Sequence, residues 1–310
     1  MTSKRTLRLA LLALVVLVPL AIHEARFREG AKAAPTAHLR LSTVLKGFVA
    51  PTAVSFAPDG RIFVAEKQGF VVAYRSFADR RPRVIVDISR RVDSFVDRGL
   101  LSIALDPDFP LKPYLYLLYS LDAPPGGKPP VWHDGCPTPP GPLLDGCIGT
   151  GVLSRVRVSP SDKVGPEHVL IANRWCHQYT SHDIGDLAFG PGRTLYVSAG
   201  EGADWAALDW GQRGGRPGSP TPRNPCGDPP GGRGAALSRP SAQGGTLRAQ
   251  DLMTAGDPVT YDGTVIRVDP DTGRALPSDP LYGGPVRSDD AVVAFGLRNP
   301  FRLAVTGRTV

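Results

Sequence analysis

Three stretches of this chain repeat one pattern: a short run of alternating apolar and polar residues, a tight turn built on Pro, Asp or Gly, and a second alternating run. Residues 51–66 read PTAVSFAPDGRIFVAE, residues 99–119 read GLLSIALDPDFPLKPYLYLLY, and residues 184–201 read IGDLAFGPGRTLYVSAGE. Successive side chains of a strand leave opposite faces, so alternation on both sides of a turn predicts an antiparallel hairpin. In the first copy, residues 69–74 and 84–88 supply a third and a fourth strand. Four short strands in about 40 residues are the content of one propeller blade. Residues 151–158 and 263–268 are the later strands of the second and third copies, and residues 292–305 begin a fourth unit. The reading is an all-β chain, a β-propeller with about three blades and the start of a fourth. A radial repeat closes with roughly four to eight blades, so the chain is expected to be C-terminally truncated within its repeat.

The copies start farther apart than one blade requires. The excess lies in two Pro/Gly/Cys-rich inserts, 122–149 and 203–258, which belong in loops. The 35 glycines and 32 prolines fall between the β-like runs, as turns and inserts of such a fold would place them. The formal charge of +7 comes from arginines scattered singly or in pairs. Nucleic-acid binding needs a dense basic stripe with interleaved aromatics, and that class is excluded.

Residues 1–33 carry Lys4, Arg5 and Arg8, then an unbroken apolar run over 9–22. A run of this length falls short of the roughly 20 residues that span a bilayer, so it reads as a signal peptide, with an uncleaved N-terminal membrane anchor as the alternative. Either places the domain, 34–310, outside the cytoplasm, secreted or held at the membrane. Four cysteines in an exported chain predict two disulfides. The expected pairs are Cys136 with Cys147, around a Pro/Gly-rich loop, and Cys176 with Cys226, around the third hairpin and the insert after it. Zinc would need short Cys-x-x-Cys spacings, which this chain lacks.

One candidate for chemistry stands out from the repeat. His182 immediately precedes the first strand of the third hairpin, where a loop side chain projects from the end of a sheet. GLLSIALDPDF at 99–109, SHDIGDLAFGPGRTLYVSAGEG from Ser181, and AFGLRNPFRLAV at 294–305 together resemble the glucose/sorbosone dehydrogenases, soluble quinone-dependent aldose sugar dehydrogenases. The resemblance covers roughly residues 41–305. It implies a six-bladed β-propeller, pyrroloquinoline quinone (PQQ) over the central channel, calcium, and oxidation of a sugar hydroxyl, aldose to lactone. It makes His182 the general base, since an imidazole can take an alcohol proton while hydride leaves carbon for the quinone. It also makes Arg298 and Asn299 cofactor contacts, a guanidinium for charge on a quinone oxygen and an amide for orientation.

The departures from the pattern matter too. Where the family carries Gln or Glu before Gly-Leu-Leu, a position that often contacts the cofactor, this chain has Asp97 followed by Arg98. Ile184 stands where a second glycine is usual and would narrow the approach to the channel. Ser181 replaces an acid or amide, leaving Asp183 or Asp186 to orient the histidine ring. No residue of this chain is assigned to a metal, because the calcium ligands are expected beyond its C-terminus.

The plainer readings stand beside these. His182 alone would be a hydrogen-bonded loop histidine, His177 surface or loop packing, and Arg298-Asn299 a turn before Pro300. Asp269, Asp271 and Gly273 lack the closing Glu of a calcium loop and read as a hairpin turn. Two other functions are open: a secreted propeller that binds carbohydrate or a surface partner without turnover, and a calcium-dependent propeller hydrolase. The second would need converging acids, and Glu66 and Glu201 do not match its context.

Overall fold

The computed structural model describes residues 41–138, 141–142, 146–202, 260–284 and 290–307. The chain divides into two compact units, 1–43 and 44–310. Of the first, only 41–43 are described, so the leader with its candidate anchor at 9–22 lies outside the described residues, as does the 203–258 insert. Among the described residues no helix is long and apolar enough to cross a membrane.

Among the described residues the second unit holds three four-stranded antiparallel sheets. The first holds β1 (Pro51–Phe56), β2 (Ile62–Glu66), β3 (Phe70–Tyr74) and β4 (Arg83–Asp87) in that order. The second holds β5 (Leu100–Leu105), β6 (Tyr114–Leu121), β7 (Thr150–Arg157) and β8 (His168–Ala172). The third holds β9 (Ile184–Gly190), β10 (Thr194–Ala199), β11 (Thr264–Val268) and β12 (Val292–Phe295). β5 packs against both β1 and β9, so the first strand of each sheet is its inner one. These are three blades of a β-propeller.

Alternation along the strands packs one blade on the next. On β6, Leu115, Leu117 and Tyr119 join Phe63, Val71 and Val86 of the first blade in one core. Tyr116 and Leu118, on the opposite face of the same strand, join Leu187, Leu195, Val197 and Ile266 of the third blade in another. A blade buried on both faces must be apolar on both, which is why β6 reads YLYLLYSL. Blade edges are further tied by ion pairs. Arg61 of the first blade meets Asp162 of the second at 3.0 Å, and Arg193 of the third meets Asp106 of the second.

Two differences from the sequence reading concern the last strands. His168–Ala172 is the outer strand of the second blade, although HVLIA is flanked by turn residues and alternates too briefly to stand out. Val292–Phe295 does not open a fourth unit: it pairs with β11 and completes the third blade. Residues 301–305 are in no strand. The hairpin-turn reading of 269–273 is borne out, because Asp269 Oδ1 accepts from the Asp271 and Thr272 amides and the Asp271 carboxylate is taken by Arg193.

Candidate active site

Each blade ends at its outer strand, and the chain must return over the sheet end to reach the next inner strand. Three such returns, residues 88–99, 173–183 and 296–300, cross the same end of the structure. His182, Asp97, Arg298 and Asn299 all lie on them, which is why residues far apart in sequence come together. The third return can be followed bond by bond: Leu297 N–H donates to Gly263 O, Glu201 N–H to Arg298 O, and Ser198 Oγ to Pro300 O. Gly200 sits beneath it, where a Cβ would come within 2.3 Å of His182 O and 3.1 Å of Arg298 O.

His182 is buried and has a φ of 55°, a left-handed conformation that is costly for a residue with a side chain. Its neighbours hold it there. The backbone N–H donates to Asp97 Oδ2 at 3.1 Å, and the carbonyl accepts from Gly202 N–H at 2.8 Å. The ring Nδ1 lies 3.0 Å from Glu201 Oε1, a carboxylate with no solvent exposure. With Nδ1–H directed at a carboxylate, the lone pair is on Nε2, and Nε2 has no hydrogen bond among the described residues. Arg298 approaches the same carboxylate oxygen, its Nε 3.8 Å from Oε1 and its side chain half exposed. Asn299 is exposed beside it.

Glu201 is therefore the orienting acid, and the two carboxylates nearer in sequence are not. Asp183 turns away from His182: its Oδ2 accepts from Arg98 Nε at 2.9 Å, and its Oδ1 from Ser120 Oγ at 2.7 Å and the Ile184 amide at 2.9 Å. Asp186 accepts from Ser102 Oγ and its own hairpin backbone. Glu201 was legible only as the residue two beyond β10. The β9–β10 pairing, Ala199 opposite Ile184, is what folds it back onto His182. Ile184 does not narrow any approach, because it is buried in the core between the second and third blades. Asp97 reaches the site, but its carboxylate holds the His182 backbone.

Behind this pair lies a buried charged cluster that includes His177, which is not the surface residue its place beside Cys176 suggested but has no solvent exposure. Arg98, equally buried, donates to Asp183, to Asp93 Oδ2 at 2.7 Å, and to the carbonyls of His177 and Tyr179. Burial raises the Asp93 carboxyl above its ordinary value, with Arg98 acting against it. Burial would raise Asp183 as well, but the charges of His177 and Arg98 hold it well below the carboxylate range.

The 122–149 insert stands at the same end. Asp122 accepts from three consecutive amides, Val131, Trp132 and His133, and Cys136–Cys147 closes the insert with a disulfide, as expected. Its far end docks by paired hydrogen bonds between Gly149 and His177. Cys176 is buried and disulfide-bonded. Its expected partner, Cys226, lies outside the described residues. No group of three or more His, Cys, Asp or Glu among the described residues is arranged to hold a metal ion.

One end of the three blades thus gathers a histidine–glutamate pair, an arginine and an asparagine. The family model of glucose/sorbosone dehydrogenases matches residues 48–217, and the chain belongs to that family. Among solved structures, a Thermus thermophilus protein described as a putative oxidoreductase (glucose dehydrogenase) matches with a TM-score of 0.54 at 22% identity, over 84% of this chain and 55% of that one. A glucose dehydrogenase matches at 0.51 and 16% identity, over 83% and 54%. The soluble aldose sugar dehydrogenase of Escherichia coli, in its apo-form, matches at 0.50 and 16%, over 81% and 52%. At these identities the likeness shows the fold, and this chain spans about half the length of the structures it matches. No curated protein matches the sequence.

Proposed function

We propose that this chain carries the base-bearing part of a PQQ-dependent sugar dehydrogenase that oxidises an aldose hydroxyl to the lactone, with His182 as general base. The observation that carries the reading is the pairing of His182 Nδ1 with the fully buried Glu201, which leaves Nε2 free to take a proton. PQQ, when bound, would accept the hydride from the sugar carbon. His182 Nε2 takes the hydroxyl proton, and the Glu201 carboxylate offsets the positive charge that then develops on the ring. Arg298, half exposed at this end, suits an anionic cofactor oxygen, and the exposed Asn299 suits a ring substituent. The donor set fits the reacting end of such a quinone. Calcium is assigned to no residue here. Asp97 belongs to the site through its hold on the His182 backbone. The family resemblance supports an extracytoplasmic protein, exported through residues 1–33.

The test is sugar oxidation by the purified protein loaded with PQQ and calcium, using an artificial electron acceptor. His182→Ala should lower kcat by about 10²–10⁴, or roughly 3–5 kcal/mol, the usual contribution of a general base, with quinone affinity within a few fold of wild type. A mutant within about threefold of wild type removes His182 from the mechanism. A wild type that binds sugar but neither binds quinone nor turns over favours the non-catalytic propeller.

A further inference from the structure

We propose that His177 is a positioning residue for the His182–Glu201 pair: a buried imidazolium whose Nδ1 faces the side chain of the residue after His182 and whose Nε2 faces the backbone carbonyl of the residue before Glu201. The proposal rests on the reading above only in taking that pair as the reacting one.

His177 Nδ1 lies 3.0 Å from Asp183 Oδ1, and Asp183 directly follows His182. His177 Nε2 lies 3.2 Å from Asp262 Oδ1 and 3.3 Å from Gly200 O, and Gly200 directly precedes Glu201. The two sides are joined by backbone hydrogen bonds, Gly200 N–H to Asp183 O and Gly202 N–H to His182 O, both at 2.8 Å. One ring thus sits inside a frame whose opposite edges are the immediate neighbours of the base and of its orienting acid. The frame has no slack, since a Cβ on Gly202 would lie 2.5 Å from His177 Cα and 2.7 Å from its ring.

The charge state follows from the partners. Every oxygen facing the ring is an acceptor: the carboxylates of Asp183 and Asp262 and the Gly200 carbonyl. A neutral imidazole has one N–H and would turn a lone pair toward one of these oxygens; only the cation presents an N–H at both nitrogens, Nδ1 meeting Asp183 as an ion pair without hydrogen-bond geometry. Burial by itself would lower the His177 pKa, but the charges of Asp183 and Asp262 outweigh it and raise it, with Arg98 opposing from beyond Asp183. Asp93, on the far side of Arg98, is the remaining charged group of the cluster. The peptide of His177 is fixed independently, through Gly149 on both its N–H and its carbonyl and through Arg98 on the carbonyl. Replacing the ring therefore releases the frame while the His177 peptide stays held.

The experiment uses the full chain with ¹⁵N-labelled histidine, followed by imidazole NMR across pH, with His177→Gln and His182→Ala used for assignment. In wild type, His177 should titrate above the ordinary imidazole range, and His182 should hold a single Nδ1–H tautomer. In His177→Gln, the protein should remain folded but His182 should show mixed tautomers. In the quinone-loaded protein kcat should fall by about 10-fold to 100-fold, with KM within about twofold, because a base displaced by an ångström loses alignment and not substrate binding. If His177→Gln does not fold, Asp262→Asn, which removes the charge facing Nε2 and keeps an oxygen for the Cys176 amide, is read the same way. A folded variant with reduced stability but an unchanged His182 tautomer and kcat would overturn the proposal, as would a wild-type His177 that titrates in the ordinary range. Tautomer mixing in a protein without sugar turnover would instead uphold the positioning role and count against the dehydrogenase reading.

Discussion

Arg98 shows how much one side chain can organise. It is fully buried, yet it donates to two carboxylates and two carbonyls, which come from the first outer-to-inner return and from the second, 79 to 85 residues away. A buried pair is a weak source of net stability, but removing one partner leaves the other charge uncompensated. Arg98→Met should therefore destabilise the fold by about 3–5 kcal/mol in denaturant unfolding, since Asp93 and Asp183 would both be stranded. A loss under about 1 kcal/mol would mean that water or a neighbour replaces the guanidinium. In the sequence Arg98 is only the residue after Asp97, because nothing in its local context indicates that Asp183 will be its partner. His182 is legible as a strand-opening histidine; Glu201 as its partner is not, since that contact needs the β9–β10 register.

Among the elements, the hairpins were readable because their information is local. A turn such as Pro58-Asp59-Gly60, with Gly60 at φ 90°, sets the register of β1 and β2 directly. The outer strands were less so. β8 and β12 are short and pair on one side only, so the period-two signal is brief, and β12 could equally have opened a new blade. The 122–149 insert is a different kind of element, with few apolar residues of its own and held by Asp122 and the Cys136–Cys147 bridge. The double replacement Cys136→Ser, Cys147→Ser should cost about 2–3 kcal/mol, the loop-closure entropy returned to the unfolded chain for a loop of this size. The readout is the urea midpoint. An unchanged midpoint would mean that the insert opens independently of the blades.

For the molecule as a whole, the blades are joined by apolar faces and by ion pairs at both ends, so stability should depend on pH from both sides. Arg193 and Arg155 hold the Asp271 carboxyl well below the ordinary range, and His177 and Arg98 overcome burial to do the same for Asp183. A carboxyl depressed in the fold contributes fully above its unfolded value of about 3.9, and the contribution is lost as pH falls through the folded value. Asp93, raised by burial, works in the opposite sense and softens this acid limb. His177, raised in the fold, contributes fully below about 6.5 and loses its contribution as pH climbs through the folded value. Tm should therefore be highest between about pH 5 and 6.5, falling below about 4 and again on the alkaline side. His177→Gln should flatten the alkaline limb, and by releasing Asp183 it should also reduce the acid limb. An alkaline limb of the same slope in the variant would assign it to another group.

Local pattern sufficed for the all-β class, the repeating blade, the Cys136–Cys147 loop closure and the three motifs that carry the family resemblance, because alternation, turn chemistry and short spacings act between neighbours in sequence. Only the tertiary structure decided which acid faces His182, that Ile184 belongs to the core, that Val292–Phe295 closes a blade, and that His177 is enclosed by carboxylates. Each of these depends on which strand ends are brought together when outer strands return to inner ones. That is settled by packing between blades, over separations at which a linear pattern carries no signal.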